Sequence, residues 1–196
     1  MATQDKLPTG DAGSPNNTWT ALGGGSKYVE VDDPIESPDD ATTEINTQGE
    51  DDQQFTFAAF AIDSSSINKI TVSLRHKRDS GSYHEVKAQL VVNGVEYLGA
   101  IIATSSTIWT STSTDWLTNP NTVLAWTEAD VEGTGANPLQ RFGVNDYAHP
   151  GNTVRVTQIY VTVDYEAAAG GPTVPQFMPS VWHLMGSGGM VGLMWR

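Results

Sequence analysis

The first group of side chains that could do chemistry in this chain is a run of carboxylates between positions 30 and 52. Ten Asp and Glu residues fall in that run, and no Lys or Arg does. Calcium is bound by several carboxylate and carbonyl oxygens, so the run is a candidate structural calcium site, although its spacing is not that of an EF-hand. The alternative, which the sequence favours, is a solvated acidic loop, and we expect no other cofactor.

Catalytic and nucleotide-binding motifs are missing from the sequence. The four histidines, at positions 76, 84, 149 and 183, form neither an HExxH motif nor a His-x-His pair. The Gly186-Ser187-Gly188-Gly189 segment lacks the Gly-x-Ser-x-Gly spacing of a serine nucleophile. Two distant carboxylates could still meet in the fold as they do in glycosidases. We nevertheless predict that the protein is not an enzyme.

One basic cluster stands out, Arg75-His76-Lys77-Arg78, at the end of a predicted strand. Nucleic-acid binding would need a wider basic face or aromatic stacking partners. The net charge of −13 also repels phosphate backbones and anionic lipid surfaces. We therefore expect no nucleic-acid or membrane partner, and we expect Arg75, Lys77 and Arg78 to meet the acidic run of a neighbouring copy.

Two tryptophans, Trp109 and Trp116, lie in a Ser/Thr-rich stretch. If they are exposed, they could stack on sugar rings, as in a carbohydrate-binding module. If they are buried, they belong to the core or to a contact between subunits, where tryptophan is common. The second interpretation is favoured.

The C-terminal segment, residues 167–196, carries no charged residue before Arg196. Its glycines and prolines disfavour both a stable helix and a second domain, yet its apolar side chains need cover from water. Methionine fills irregular gaps and aromatic residues anchor interfaces. We predict that the segment docks on another chain, and the predicted docking residues are Phe177, Met178, Trp182, Met185, Met190, Met194 and Trp195.

The elements that position these residues are short strands. Ile70, Val72 and Leu74 alternate with polar residues, which is typical of a strand with one face on a core. A similar alternation ends at Asn93-Gly94, a dipeptide that favours a type I′ hairpin turn. Helix is nearly absent, apart from a short one that Thr127 would cap. The sequence predicts an all-β fold, a single antiparallel β-sandwich of jelly-roll type.

The last predicted strand, 153–165, changes phase between Val156 and Ile159. A one-residue shift moves every following side chain to the other face, so a β-bulge near Thr157-Gln158 is expected. The predicted organisation is a flexible, Gly-rich N-terminal arm at 1–26, a β-sandwich at 27–166 and a docking tail at 167–196.

A set of short motifs in this order resembles a layout found in bacteriophage virion proteins of the β-sandwich type. The motifs span residues 28–165 and are Val31-Asp32-Asp33-Pro34, Pro38-Asp39-Asp40-Ala41-Thr42-Thr43, Asn119-Pro120, Trp126-Thr127-Glu128-Ala129-Asp130-Val131, Phe142-Gly143-Val144 and Val154-Arg155-Val156-Thr157-Gln158-Ile159-Tyr160-Val161. The resemblance implies a structural role in a phage particle.

Two functions follow as expectations. The first is a capsid decoration or minor capsid protein, assembled in the host cytoplasm, that self-associates and binds other virion proteins such as the major capsid protein through its terminal arms. The alternative is a carbohydrate- or receptor-binding module of a tail fibre or tail-associated protein, in which Trp109 and Trp116 contact the ligand.

Overall fold

The computed structural model describes residues 1–13, 19–49, 51–79, 84–148 and 153–168. Two antiparallel sheets face each other. The six-stranded sheet consists of β1 (Ala2–Lys6), β3 (Thr20–Ala21), β4 (Ile45–Thr47), β6 (Ser64–Arg78), β9 (Thr110–Trp116) and β11 (Val154–Ala167). The five-stranded sheet consists of β2 (Pro8–Ala12), β5 (Asp52–Phe57), β7 (His84–Val92), β8 (Val95–Thr104) and β10 (Leu139–Ala148). The predicted β-sandwich is confirmed.

Strand order determines which side chains can meet. In the six-stranded sheet the order is β3-β4-β11-β6-β9, and β1 also pairs with β11. In the five-stranded sheet the order is β2-β5-β10-β7-β8. The long strand β6 therefore lies between β11 and β9, while β10 lies between β5 and β7.

The core lies between the inner faces of the two sheets. Val72 and Leu74 of β6 face Leu90 of β7 and Phe142 of β10 across the sandwich, in one cluster of buried residues. The alternation in β6 predicts this orientation correctly, because side chains two residues apart on a strand share a face. Burying each such side chain stabilises the fold by about 1.5–3 kcal/mol.

The predicted bulge in β11 is confirmed. The pairing of β11 with β6 shifts register between Val156 and Gln158, so that Thr157 has no direct partner on β6. Val156 and Ile159 both reach the core in spite of their odd spacing. Tyr160 consequently points to the outer face of the six-stranded sheet.

Local turn and cap signals also give the expected structures. Asn93 and Gly94 connect β7 and β8 with φ angles of 51° and 77°, which a type I′ turn requires. A short helix, α1 (Glu128–Val131), begins where the Thr127 side chain accepts a hydrogen bond from the backbone N–H of Asp130. A 3₁₀ turn covers Lys27–Glu30.

The N-terminal segment differs from the predicted arm. Ala2 to Lys6 pair with β11 from Tyr165 to Val161, and β2 pairs with β5 at the edge of the other sheet. Both strands lie at a sheet edge and are held by backbone hydrogen bonds. Their sequences have little apolar alternation, so the alternation pattern does not reveal them. No helix among the described residues is long and apolar enough to cross a membrane.

Candidate functional site

The outer face of the six-stranded sheet carries a row of polar side chains. Ser73 of β6 is paired with Ser113 of β9 on one side and with Tyr160 of β11 on the other. Directly paired residues point to the same face of a sheet, and Leu74, the neighbour of Ser73, points into the core. Together with Ser111, these residues form what we call the serine–tyrosine face: Ser73, Ser111, Ser113 and Tyr160.

The serine–tyrosine face lines a shallow cavity of about 180 Å³ that opens on the surface. Tyr160 and Ser73 are half-buried, and Ser113 is exposed. None of these three hydroxyl groups has a hydrogen-bond partner among the described residues, so each can donate to or accept from a ligand or water. The tyrosine adds an apolar ring beside them.

A loop, residues 32–43, borders one end of this face. Arg75 holds the loop through both carboxylate oxygens of Asp40, with Nε 2.7 Å from Oδ1. This contact raises the pKa of the guanidinium above its ordinary value. Trp109 adds a hydrogen bond from its indole N–H to the carbonyl of Asp40 at 3.2 Å.

The bulge residues of β11 anchor the same loop. Thr157 Oγ1 lies 3.0 Å from the carbonyl oxygen of Asp39 and 2.7 Å from that of Thr43, and its single hydroxyl proton can be donated to either. Gln158 Nε2 donates to the carbonyls of Asp33 at 3.0 Å and Pro34 at 2.9 Å. The extra residue of the bulge thus turns two polar side chains toward the loop instead of toward a neighbouring strand.

The opposite end of the face holds paired charges. Lys69 Nζ lies 2.8 Å from Asp115 Oδ2, and Thr71 Oγ1 donates to the other oxygen of that carboxylate at 2.7 Å. The hydrogen bond from Lys69 is the main cause of the lowered pKa of Asp115. Because Arg75 and Lys69 each face a carboxylate, the middle of the face is uncharged, which suits a neutral polar ligand.

The two tryptophans, for which the sequence favours a place in the core or in a subunit contact over sugar stacking, have different positions. Trp116 is paired with Ile70 and packs half-buried against the core, while its carbonyl accepts a hydrogen bond from Trp126 at 3.0 Å. Trp109 is also half-buried, and the ammonium of Lys77 lies 4.3 Å from the centre of its ring. The structure thus brings Trp109 to the border of the serine–tyrosine face and leaves Trp116 on the inner side.

The basic cluster contacts groups of its own chain. Arg75 pairs with Asp40, which belongs to the acidic run. Lys77 covers Trp109, and Arg78 Nε donates to the carbonyl of Ser105 at 2.8 Å. The acidic partner of Arg75 is therefore supplied within one chain, whereas the sequence pattern predicts it from a neighbouring copy; contact between copies stays a prediction.

Other predicted residues do not assemble into a site in the described part of the chain. No group of three or more His, Cys, Asp or Glu side chains is arranged to hold a metal ion there. His76 and His84 are buried inside the sandwich, while the predicted docking residues, from Phe177 to Trp195, lie outside the described residues.

Sequence reasoning missed Tyr160 and the serines. The alternation of β6 places Ser73 on the outer face, and the bulge predicts the same for Tyr160. The missing information was the strand order, because Ser113 and Tyr160 reach Ser73 only through pairing across 40 residues or more of chain.

No protein-family model matches this chain, and no curated protein matches it. Among solved structures, the N-terminal CBM22-1 and GH10 modules of an endo-1,4-β-D-xylanase from Clostridium thermocellum, complexed with xylohexaose, align at 10% identity and a TM-score of 0.46, over 83% of this chain and 27% of that one. This chain therefore spans about a quarter of that structure.

Two smaller structures align over most of their own length. The CBM22-1 xylan-binding domain from Paenibacillus barcinonensis shows 12% identity and a TM-score of 0.42, over 84% of this chain and 95% of that one. The CBM36-1 domain of a multidomain xylanase from the hindgut metagenome of Trinervitermes trinervoides shows 10% identity and a TM-score of 0.41, over 87% and 100%. These likenesses concern the β-sandwich alone and carry no argument about function.

Proposed function

We propose that this chain is a non-catalytic module that binds a neutral carbohydrate through the serine–tyrosine face. The observation that carries the proposal is the row of Ser113, Ser73 and Tyr160, whose hydroxyl groups have no partner among the described residues. Sugar rings have apolar C–H faces and a rim of hydroxyls. A tyrosine ring beside serine hydroxyls offers a partner for each of these two surfaces.

The charge distribution favours a neutral ligand over an anionic one. The cations that border the face, Arg75 and Lys69, are occupied by Asp40 and Asp115, and the chain as a whole carries a net charge of −13. A phosphate or sulfate group would meet no free cation on the serine–tyrosine face. A hydroxyl group, in contrast, can both donate and accept there.

The size of the cavity limits the contact to a small part of a ligand. Its volume of about 180 Å³ lies below the range of about 300–1,000 Å³ that is common for pockets enclosing a small molecule. We therefore expect that one sugar unit sits against Tyr160 while the rest of an oligosaccharide runs across the sheet. Such a shallow site gives modest affinity, which linking two or more copies of the module would strengthen.

Isothermal titration of the protein with xylohexaose, cellohexaose, mannohexaose and maltohexaose tests the proposal. We expect one of these sugars to bind selectively. Tyr160→Ala should weaken that binding about tenfold, which corresponds to about 1.4 kcal/mol, because it removes the ring and its hydroxyl. Absence of binding to all four sugars would contradict the proposal.

Serine substitutions provide a matched control. Ser73→Ala and Ser113→Ala each remove one hydroxyl from the serine–tyrosine face and should each weaken binding by about 0.5–1.5 kcal/mol. Ser66→Ala changes an exposed serine of the same strand β6 near its other end and should leave binding unchanged. Equal effects of all three substitutions would exclude the serine–tyrosine face as the site.

The structural role in a phage particle stays a prediction. It depends on the resemblance and on docking by the segment 167–196, most of which lies outside the described residues. Deletion of residues 172–196 tests it directly, since the truncated protein should then fail to join the particle.

A further inference from the structure

The loop between β9 and α1 exposes three large apolar side chains. Leu117, Val123 and Leu124 are 68%, 76% and 68% exposed, and they fall within residues 117–124, which we call the apolar loop. Single exposed apolar residues are common on protein surfaces, whereas a group of them is typical of an interaction site. No described part of the chain covers these three side chains.

Hydrogen bonds close the apolar loop and fix its shape. The backbone N–H of Asn119 donates to the carbonyl of Leu124 at 2.8 Å, and the N–H of Val123 donates to the carbonyl of Asn119 at 2.8 Å. The side chain of Asn119 is 0% exposed. It accepts a hydrogen bond from the N–H of Asn121 at 3.0 Å and donates one to the carbonyl of Asn137 at 3.3 Å. The apolar side chains are thus presented from a well-anchored base.

Val123 has a strained backbone although it lies at the surface. Its φ is 61°, which is unusual for a β-branched residue. Asparagine adopts this conformation more readily, as Asn93 does in the hairpin turn. A strained residue that holds its apolar side chain in water adds nothing to the core, and backbone strain of this kind is common at binding sites. The conformation of Val123 is therefore typical of a contact site.

The C-terminal segment leaves the sandwich at the end that carries the apolar loop. β9 is antiparallel to β6, so the loop after β9 lies where β6 begins. β11 is also antiparallel to β6 and ends there, and the N–H of Ala168 donates to the carbonyl of Asp63 at 3.1 Å. Glu128 of α1 joins the two regions, because its carboxylate accepts from the N–H and the hydroxyl of Ser64 at 2.8 and 3.0 Å.

The composition of the C-terminal segment matches the apolar loop. Residues 167–195 contain no Asp, Glu, Lys or Arg, and residues 116–127 contain none either. Two such segments can meet without removing a charge from water, which would be costly. Most other surfaces of this chain, with its net charge of −13, present carboxylates.

The connecting chain is long enough for contact within one molecule. Phe177 follows Ala168 by nine residues, which span at most about 30 Å when extended, roughly the diameter of a small domain. A tethered segment also has a high effective concentration at a site on its own chain. Docking within the chain therefore needs no second molecule.

We infer that residues 177–195 dock on the apolar loop of their own chain and cover its three exposed side chains. Methionine adapts to irregular surfaces, and aromatic residues such as Phe177 and Trp182 anchor contacts. The sequence predicts an acceptor on another chain, whereas the apolar loop supplies one on the same chain. The contact concerns one end of the sandwich and does not depend on sugar binding.

A spin label tests the contact in the full chain. The protein contains no cysteine, so a nitroxide can be attached at Ser180→Cys alone, within the docking residues. In NMR spectra the label should remove most of the backbone amide intensity of residues 117–124. The amide signal of Ile108, which precedes β9 at the opposite end of the sheet, should keep its intensity.

Two asparagine substitutions form a matched pair. Val123→Asn removes an apolar side chain and suits the positive φ, so the variant should fold. It should recover about half of the lost intensity, since it removes one of three apolar contacts. Ile108→Asn makes the same kind of change at a side chain that is 75% exposed and should recover none. Chymotrypsin should cleave after Phe177 about threefold faster in Val123→Asn than in Ile108→Asn, because the released segment is more accessible.

A mixed sample separates contact within a chain from contact between copies. Spin-labelled Ser180→Cys is added to isotope-labelled wild type, and no signal of the wild type should weaken. Loss of the signals of residues 117–124 in this mixture would assign the contact to a second copy and overturn docking within one chain. Full signals of residues 117–124 in the spin-labelled chain itself, or an equal loss at Ile108, would overturn the apolar loop as the acceptor. Equal effects of the two asparagine substitutions would overturn it as well.

Discussion

Thr157 donates a hydrogen bond to the backbone carbonyl of Thr43 at 2.7 Å, from the position where β11 gains its extra residue. The same hydroxyl also reaches the carbonyl of Asp39. The bulge thus has two consequences: it turns Tyr160 outward, and it fixes the loop that borders the serine–tyrosine face.

Thr157→Val should lower the free energy of unfolding by about 1–2 kcal/mol, because the substitution keeps the shape of the side chain and removes a buried hydroxyl that serves two carbonyls. Urea unfolding measures the change. Thr162→Val, on the same strand, removes a surface hydrogen bond to Asp5 and should cost much less. A larger loss for Thr162→Val would contradict the anchoring role of Thr157.

Stability should fall as the pH is lowered from about 6.5 to about 4. His76 is 2% exposed, and burial lowers its pKa from 6.5 to about 4. In this window the unfolded chain binds a proton that the folded chain excludes, so the free energy of unfolding decreases with decreasing pH, by up to about 3 kcal/mol.

His76→Gln isolates this contribution from that of the carboxylates. The variant keeps a side chain that can bond Thr104 and Thr112, the partners of the imidazole, but it does not titrate. Urea unfolding at several pH values should show a shallower loss of stability for the variant between pH 6.5 and 4. Identical pH dependence of the two proteins would show that His76 is not the source.

Gly94→Ala should lower the free energy of unfolding by about 1 kcal/mol. Gly94 has a φ of 77°, and a Cβ added there would have no other atom within 4 Å, so the cost comes from backbone strain alone. Gly25→Ala is the matched control, since its Cβ would also meet open space and its φ lies outside the left-handed region. Thermal unfolding should rank Gly94→Ala below the wild type and Gly25→Ala close to it.

Trp116→Ala should destabilise the fold more than Trp109→Ala does. Trp116 packs against the core, so its loss leaves a cavity and should cost about 2–3 kcal/mol. Trp109 contributes one hydrogen bond and the contact with Lys77, a cation–π interaction worth about 0.5–1 kcal/mol. Denaturant midpoints of the two variants test this order, and the reverse order would mean that Trp109 is the structural residue.

Features encoded by neighbouring residues were predictable from the sequence. The alternation around Val72, the Asn93-Gly94 turn, the Thr127 cap and the phase change of β11 each depend on a few adjacent positions, and the structure confirms each of them. They were sufficient to predict an antiparallel β-sandwich.

Features that depend on long-range pairing were not predictable. The pairing of residues 2–6 with β11 was not predictable, because it uses backbone groups that every sequence possesses and these residues have no apolar pattern. Arg75 finds Asp40 through a loop that is 35 residues away in the chain. Gln54 and Glu96 meet because the five-stranded sheet brings them to one face, and neither residue type signals this in the sequence.

The pairing of Ala2 with Tyr165 has a practical consequence for engineering. Directly opposed residues of antiparallel strands have their Cα atoms only about 4.5–5.5 Å apart. A short linker from Ala167 to Ala2 could therefore replace residues 168–196 and join the first strand to β11, and such a circular permutant with new termini at the Asn93-Gly94 turn would retain the described strands of both sheets.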